Sequence, residues 1–140
     1  MSKAVAVEGL EIEYSTDPGS SDLQLVTTLS QASQKVKSGG NGAYVDKLTI
    51  TIATGMVTLN SPPEGASSGT SVSMVGGTID IDGTSEKSTS EGSPFVLEGD
   101  EGDNTFVFMF PPSSGSSPVP ADVKITAKVK KAGQDVLKVT

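Results

Sequence analysis

The stretch VKITAKVK, residues 123–130, decides the fold class of this chain. Apolar residues occupy every second position and polar residues lie between them, which is the pattern of a β-strand with one buried and one solvated face. The same alternation occurs in residues 10–14 and 48–52, and helical periodicity is almost absent. The sequence therefore predicts an all-β fold of short antiparallel strands and hairpins, in a compact single domain that is either cone-like or sandwich-like.

Composition excludes most enzyme classes. The chain has 140 residues, with Cys 0 and His 0. These absences exclude disulfides, a Cys nucleophile, the catalytic dyads and triads that need His, and metal sites that need imidazole or thiolate. The chain has no Arg and a formal net charge of -7, which disfavours a nucleic-acid partner. We therefore predict a non-enzymatic protein without cofactor or bound metal.

The N-terminal residues 1–8 lack the basic stretch and apolar core of a secretory signal. No later apolar run approaches the length that a transmembrane helix requires. The expectation is a protein made in the cytoplasm, without signal peptide or membrane anchor.

Two stretches rich in Pro, Gly and Ser, residues 61–69 and 111–120, interrupt the strand pattern. The second is long enough to separate residues 121–140 from the rest of the chain. The predicted organisation is a β-rich core domain over residues 1–110, a linker over 111–120, and a C-terminal β-hairpin over 121–140 that packs on the core.

A short repeat is visible in the sequence. In residues 33–40, 85–92 and 126–133, a hydroxyl residue stands two positions before a Lys, and a Gly follows five positions after that Lys. A strand, a reversal at Gly and a second strand would account for the pattern, so each copy predicts a hairpin unit. Chance matches in a chain rich in Lys and Gly are the alternative.

The run TFVFMF, residues 105–110, holds three of the four Phe residues. Being apolar on both faces, it fits either a central strand or an edge that meets another chain. The candidate partner-docking residues are those of this stripe and two from the strand at 123–130, namely Phe106, Phe108, Phe110, Val123 and Ile125.

The densest acidic group is residues 98–104, and residues 80–83 begin like a calcium loop. Neither segment has the ligand spacing of an EF-hand, so we expect solvated acidic turns. A glycosidase needs only a pair of carboxylates, but sugar sites usually also have aromatic platforms, and the chain has Trp 0 and Tyr 2. An enzyme that uses carboxylates alone is therefore the least favoured interpretation.

Three segments carry a resemblance to a known family. Residues 4–15 (AVAVEGLEIEYS) read as a strand that ends in a turn of small residues. Residues 77–87 (GTIDIDGTSEK) and 92–100 (GSPFVLEGD) read as a strand and turn, then Gly-x-Pro-x-Val-Leu, then Gly-Asp. This arrangement resembles the PAAR-like proteins, with Glu13 or Tyr14 at the position of the family's Cys.

PAAR-like proteins cap the central spike trimer of contractile injection machines, such as type VI secretion systems, phage tails and extracellular particles. The resemblance implies a structural spike tip whose partner is a trimeric β-helical spike protein, with an effector cargo as a further partner. It also implies export by such a machine or incorporation in its particle. Family members often hold their tip with a metal bound by His and Cys, and this chain has neither. The alternative function is an Ig-like or carbohydrate-binding β-sandwich module of a surface or virion protein.

Overall fold

The computed structural model describes residues 2–115 and 117–140, and this part of the chain contains strands and no helix. The predicted all-β class is confirmed. The strands, in chain order, are β1 (Lys3–Ala4), β2 (Glu11–Asp17), β3 (Ser20–Leu29), β4 (Lys37–Ser38), β5 (Asn41–Gly42), β6 (Lys47–Leu59), β7 (Ser73–Met74), β8 (Gly77–Asp82), β9 (Thr89–Ser90), β10 (Ser93–Pro94), β11 (Glu101–Phe110), β12 (Val119–Lys131) and β13 (Lys138–Val139).

The long strands form two antiparallel sheets. One has the order β2-β12-β11-β7 and the other the order β3-β6-β8. Along β6, β8 and β12 buried and more exposed residues alternate, as the sequence pattern predicts for strands with one face on the core. The two inner faces share one hydrophobic core, to which β6, β8, β11 and β12 contribute most of the fully buried side chains.

The two sheets meet along two seams. At the first, β8 lies against β11 so closely that a Cβ on Gly102 would fall 2.0 Å from the carbonyl oxygen of Asp80. At the second, β2 and β3 are joined by the turn at Pro18 and Gly19, and the hydroxyl of Thr16 donates to that of Ser20 at 2.7 Å. Among the described residues, no ladder of backbone hydrogen bonds joins β2 to β3. The first seam is therefore tight and the second is open.

The C-terminal region differs from the hairpin expected there. Strand β12 lies between β2 and β11, and Val123, Ile125, Ala127 and Val129 are fully buried. Strand β13 pairs with β1 and not with β12, so Lys3 lies opposite Val139. Residues 121–131 therefore complete the main core, and residues 138–139 belong to a different part of the molecule.

Candidate docking surface

Three short segments form a closed triangle at one end of the two sheets. They are residues 5–7, 43–45 and 95–97, and isolated bridges join Val5 to Leu97, Val7 to Ala43, and Val45 to Phe95. Three backbone hydrogen bonds run around the triangle: Ala6 N–H donates to Val96 at 2.8 Å, Tyr44 N–H to Ala6 at 2.9 Å, and Val96 N–H to Tyr44 at 3.0 Å. Each segment thus gives and receives one equivalent bond, which defines an approximate threefold axis.

The next residue of each segment repeats the symmetry. The N–H groups of Glu8, Asp46 and Glu98 donate to the carbonyl oxygens of Gly42, Pro94 and Ala4 at 3.0, 2.7 and 2.9 Å. The central residues of the triangle, Ala6, Tyr44 and Val96, belong to the main core, whereas the apolar residues beside them form a second buried cluster on the other side. Burial raises the pKa of the Tyr44 hydroxyl, and the nearby carboxylate of Glu8 raises it further.

Three two-stranded hairpins cover this second cluster, and we call them the cap. They are β4 with β5, β9 with β10, and β13 with β1. Their registers correspond: Lys37 pairs with Gly42, Thr89 with Pro94, and Lys138 with Ala4. In the first two hairpins the turn residues have positive φ, at Gly39 and Gly40 and at Glu91 and Gly92. The third hairpin is assembled from the two ends of the chain.

Each cap hairpin contacts the next. Lys35 forms an ion pair with Glu91, and the hydroxyl of Ser38 donates to the amide oxygen of Gln134 at 3.2 Å. The backbone N–H groups of residues 86–88 converge on the carbonyl oxygen of Thr140, at 2.8 to 3.2 Å. The three contacts close a ring around the same axis, so the cap is an approximately threefold surface.

The sequence repeat corresponds to this symmetry in two of its three copies. Residues 33–40 and 85–92 lead into β4 with β5 and β9 with β10. In the first, the Ser33 hydroxyl accepts hydrogen bonds from the N–H groups of Lys35 and Val36, at 3.1 and 3.2 Å. The structural counterpart in the third hairpin is Gln134, whose amide oxygen accepts from Val136 and Leu137 at 2.8 and 2.6 Å.

The third copy therefore begins at Gln134, and the copy assigned to residues 126–133 is wrong. The interval between Ser33 and Ala43 recurs between Ser85 and Phe95, each serine preceding a segment of the triangle by ten residues. No such serine precedes Val5, because the third hairpin is divided between the two chain ends. The ten-residue spacing from a serine to residues 43–45 and 95–97 is the sequence signal that could have identified these segments of the triangle.

Charge is concentrated unevenly on the cap. Residues 2–4, 33–42, 85–94 and 134–140 contain five of the ten Lys residues but only three of the seventeen acidic ones. Four of these lysines occupy two sets of equivalent positions, Lys35 with Lys87 and Lys37 with Lys138, and all four are exposed. The cap is thus a cationic surface on an acidic chain.

The opposite end of the sheets lacks this symmetry. The three connections there are a two-residue turn at Pro18 and Gly19, a long segment at residues 60–72, and the segment at 111–118. In the long segment, Ser67 N–H donates to the carbonyl of Pro111 at 2.8 Å, while Ser71 N–H donates to Val57 at 2.9 Å. Three connections of such different length cannot present equivalent contacts to a symmetric partner.

The structure buries all five predicted docking residues. Phe106, Phe108 and Phe110 on β11 and Val123 and Ile125 on β12 lie in the main core, and Phe106, the most exposed of them, is 3% exposed. A docking surface must therefore be built from other residues. The cap was not predicted as a docking surface, because its strands are only two residues long and give no alternation to detect.

The acidic loop after residue 97 has a structural role. Asp100 is buried; its carboxylate accepts hydrogen bonds from the Thr84 hydroxyl at 2.6 Å and from the Leu97 N–H at 2.8 Å. Glu98, two residues earlier, accepts from the Ala132 N–H at 3.2 Å, and Glu8, which is equivalent to Glu98 in the triangle, accepts from the Gly42 N–H at 3.0 Å. The Glu8 carboxylate ties the triangle to the cap, whereas Glu98 and Asp100 hold the segments that lie next to the triangle. In the described part of the chain, His, Cys, Asp and Glu form no group of three that could hold a metal ion.

No family model, curated protein or solved structure matches this chain. Within residues 2–115 and 117–140, no helix is long and apolar enough to cross a membrane.

Proposed function

We propose that this protein is a non-enzymatic structural cap of a contractile injection spike, and that one copy docks on the end of a trimeric β-helical spike protein. The observation that carries the proposal is the triangle of backbone hydrogen bonds through Ala6, Tyr44 and Val96, with the ring of hairpins around it. A single chain with an approximate threefold axis can offer the same contact to each subunit of a trimer. A chain without such an axis could make that contact with only one subunit at a time.

The cap is the docking end in this proposal. It is the symmetric end of the molecule, whereas the opposite end carries three unlike connections. Its lysines favour a trimer whose end surface is acidic, because complementary charge speeds association and fixes orientation. The exposed Lys35, Lys37, Lys87 and Lys138 surround the axis in a partial ring, and the exposed Val136 stands where the third hairpin would carry a counterpart of Lys35.

The resemblance of residues 4–15, 77–87 and 92–100 to PAAR-like proteins supports the same function. Residues 5–7 and 95–97, two sides of the triangle, lie within the resembling segments. The metal that often holds the family's tip has no His or Cys ligands here. Cohesion instead comes from the buried apolar cluster between the triangle and the cap, and from the carboxylates of Glu8 and Glu98. Incorporation in a particle, export by the machine and carriage of an effector belong to this proposal.

The experiment is a titration of the purified chain against a trimeric β-helical spike protein, read by mass photometry and by binding isotherms. We expect one copy per trimer. The double variant Lys37→Glu and Lys138→Glu should weaken binding at least tenfold, because it reverses charge at equivalent positions on the cap. The matched control is Lys130→Glu on β12, outside the cap, which should change the affinity less than twofold.

Three copies per trimer, or equal losses for the cap variant and the control, would contradict the proposal. A chain that binds no trimer but binds an oligosaccharide would favour the alternative, a carbohydrate-binding surface module.

A further inference from the structure

One Asn–Gly pair lies on the cap. The chain has three Asn residues, and only Asn41 is followed by Gly. In such a pair the backbone nitrogen of the Gly can attack the side-chain amide of the Asn, because Gly has no side chain to obstruct the small ring that forms. Asn41 is exposed at the end of the turn between β4 and β5, and Gly42 is buried. The side chain that would react is therefore on the surface of the cap.

The nitrogen of Gly42 is held by a carboxylate and not by the hairpin. Ser38 and Asn41 flank the turn and form the first pair of β4 and β5, and Lys37 and Gly42 form the next. In an antiparallel pair every second position lacks ladder hydrogen bonds, so the N–H of Gly42 points away from β4. It donates to Oε1 of Glu8 at 3.0 Å. The attacking atom therefore already has a proton acceptor in contact with its hydrogen.

A proton acceptor at this distance is what ring closure requires. The amide nitrogen becomes a nucleophile only as it loses its proton, and a general base acts at a separation of about 2.6 to 3.2 Å. Glu8 is itself fixed, since its own N–H donates to the carbonyl oxygen of Gly42 at 3.0 Å. The backbone and the side chain of Glu8 therefore hold both polar groups of Gly42.

The turn before Asn41 allows the side chain to reach that nitrogen. Attack requires rotation about the Cα–C bond of Asn41, out of the extended conformation of a strand. Gly42 stays in place during this rotation, because Glu8 holds both of its backbone groups. Gly39 and Gly40 precede Asn41 with φ of 62° and 87°, and no heavy atom lies within 4 Å of either Cβ position. These glycines can absorb the movement without a steric clash.

We propose that Asn41 is a site of self-catalysed deamidation in which Glu8 is the general base. Glu8 takes the proton of the Gly42 nitrogen, and that nitrogen bonds to Cγ of Asn41. The Cγ–Nδ2 bond breaks, and ammonia leaves with the proton that Glu8 returns. Water then opens the cyclic imide at either carbonyl carbon, which leaves aspartate or isoaspartate at position 41. The net reaction consumes water and releases ammonium.

The product changes the charge of the cap, and the consequence for docking rests on the proposed function. By register, Asn41 corresponds to Lys3 in the third hairpin, since Asn41 pairs with Ser38 and Lys3 with Val139. A carboxylate at position 41 adds a fourth acidic residue to a cap with five lysines. Isoaspartate also lengthens the backbone of β5 by one carbon. Docking on an acidic trimer should therefore weaken as the protein ages.

Peptide mass mapping of the intact chain, incubated at neutral pH, tests the reaction. Conversion replaces an amino group by a hydroxyl and so raises the mass of the peptide that contains Asn41. We expect Asn41 to be converted while Asn60 and Asn104 stay intact, because neither of those is followed by Gly.

The variant Glu8→Gln tests the general base. It keeps a side-chain oxygen that can accept from the Gly42 N–H but removes the carboxylate, so it should slow conversion about tenfold or more. The control is Glu98→Gln, since Glu98 is equivalent to Glu8 in the triangle but accepts from Ala132. It should leave the rate unchanged. Loss of structure cannot imitate a slower rate, because an unfolded chain leaves the Asn side chain freer to cyclise.

A second measurement addresses docking. The variant Asn41→Asp introduces the charge of the product, and it should weaken binding to the trimer about two- to fivefold relative to freshly purified wild type. The matched control Ser15→Asp adds the same charge at an exposed position on β2, outside the cap, and should leave the affinity unchanged.

An Asn41 that is converted no faster than Asn60 would overturn the proposal, and so would a rate that Glu8→Gln leaves unchanged or increases. Equal affinities of wild type and Asn41→Asp would overturn the effect on docking. Failure of both chains to bind a trimer would contradict the proposed function and leave the chemistry at Asn41 standing.

Discussion

The outer face of the sheet of β2, β12 and β11 is charged, whereas the outer face formed by β3 and most of β6 is nearly neutral. In the sheet of β2, β12 and β11, Lys128 lies between Glu13 and Glu101, and Lys124 lies opposite Asp17 and within 3.7 Å of Asp103. In the sheet of β3, β6 and β8, the outer face of β3 and β6 carries mainly Thr, Gln and exposed apolar residues. The inner faces are alike, because both pack into one core.

The difference bears on two requirements of a small β protein, which are a stable fold and control over the register and further pairing of its strands. Opposite charges on neighbouring strands contribute little to stability when exposed, but they specify register and discourage further strand pairing. A neutral face does neither. The core therefore supplies the stability of both sheets, and only the charged outer face adds control of register and pairing.

The largest expected effect tests whether the sheets share one core. Phe108 on β11 is fully buried between them. Phe108→Ala should lower the free energy of unfolding by about 3 to 5 kcal/mol, because it removes buried apolar area and leaves a cavity. Urea denaturation followed by circular dichroism measures it. Val26→Ala on the neutral face is the control and should cost less than about 0.5 kcal/mol. Similar losses for the two variants would contradict a shared core.

A smaller effect is expected at the tight seam between the sheets. A Cβ on Gly102 would meet the backbone of Asp80 and Ile81, which cannot rotate away as a side chain could. Gly102→Ala should therefore cost about 3 kcal/mol as β8 and β11 are forced apart.

The control for this seam is Gly99→Ala. Gly99 has a φ of 95° and no heavy atom within 4 Å of its Cβ position, so the cost is only that of the left-handed conformation, about 1 kcal/mol. Thermal unfolding of both variants gives the comparison, and a neutral Gly102→Ala would show that the seam can open.

The smallest effect concerns the open seam, where Tyr14 on β2 bonds to Thr27 on β3. Burial raises the pKa of the Tyr14 hydroxyl above its ordinary value of 10.0, although the hydrogen bond from Thr27 partly opposes that rise. Above pH 10 the unfolded chain therefore loses this proton more readily than the folded chain, and stability falls as pH rises. The slope from one tyrosine is at most about 1.4 kcal/mol per pH unit.

Tyr14→Phe should flatten the decline of the melting temperature between about pH 9 and 11, one unit on either side of the usual tyrosine pKa. Tyr44→Phe should flatten it as well, because burial and Glu8 raise the pKa of Tyr44. A decline that neither variant changes would assign the alkaline sensitivity to other groups.

The sequence was informative where structure is local. The alternation in residues 10–14, 48–52 and 123–130 located parts of β2, β6 and β12, because burial of one face of a strand imposes a period of two. The copies at 33–40 and 85–92 located two cap hairpins. The predicted docking residues Phe106, Phe108 and Phe110 were identified correctly as an apolar stripe, but alternation cannot tell a core from an interface.

The all-β class was determined by the sequence itself, and the absence of His and Cys restricts any metal site to oxygen ligands. The threefold arrangement was decided only by the tertiary structure. Its three sides come from residues 5–7, 43–45 and 95–97, and its third hairpin joins the two ends of the chain. The open seam between β2 and β3 was also beyond the sequence, since only the fold shows which neighbouring strands fail to pair. Both features depend on hydrogen bonds between distant residues, and a pattern of neighbouring side chains records burial but not the partner across a ladder.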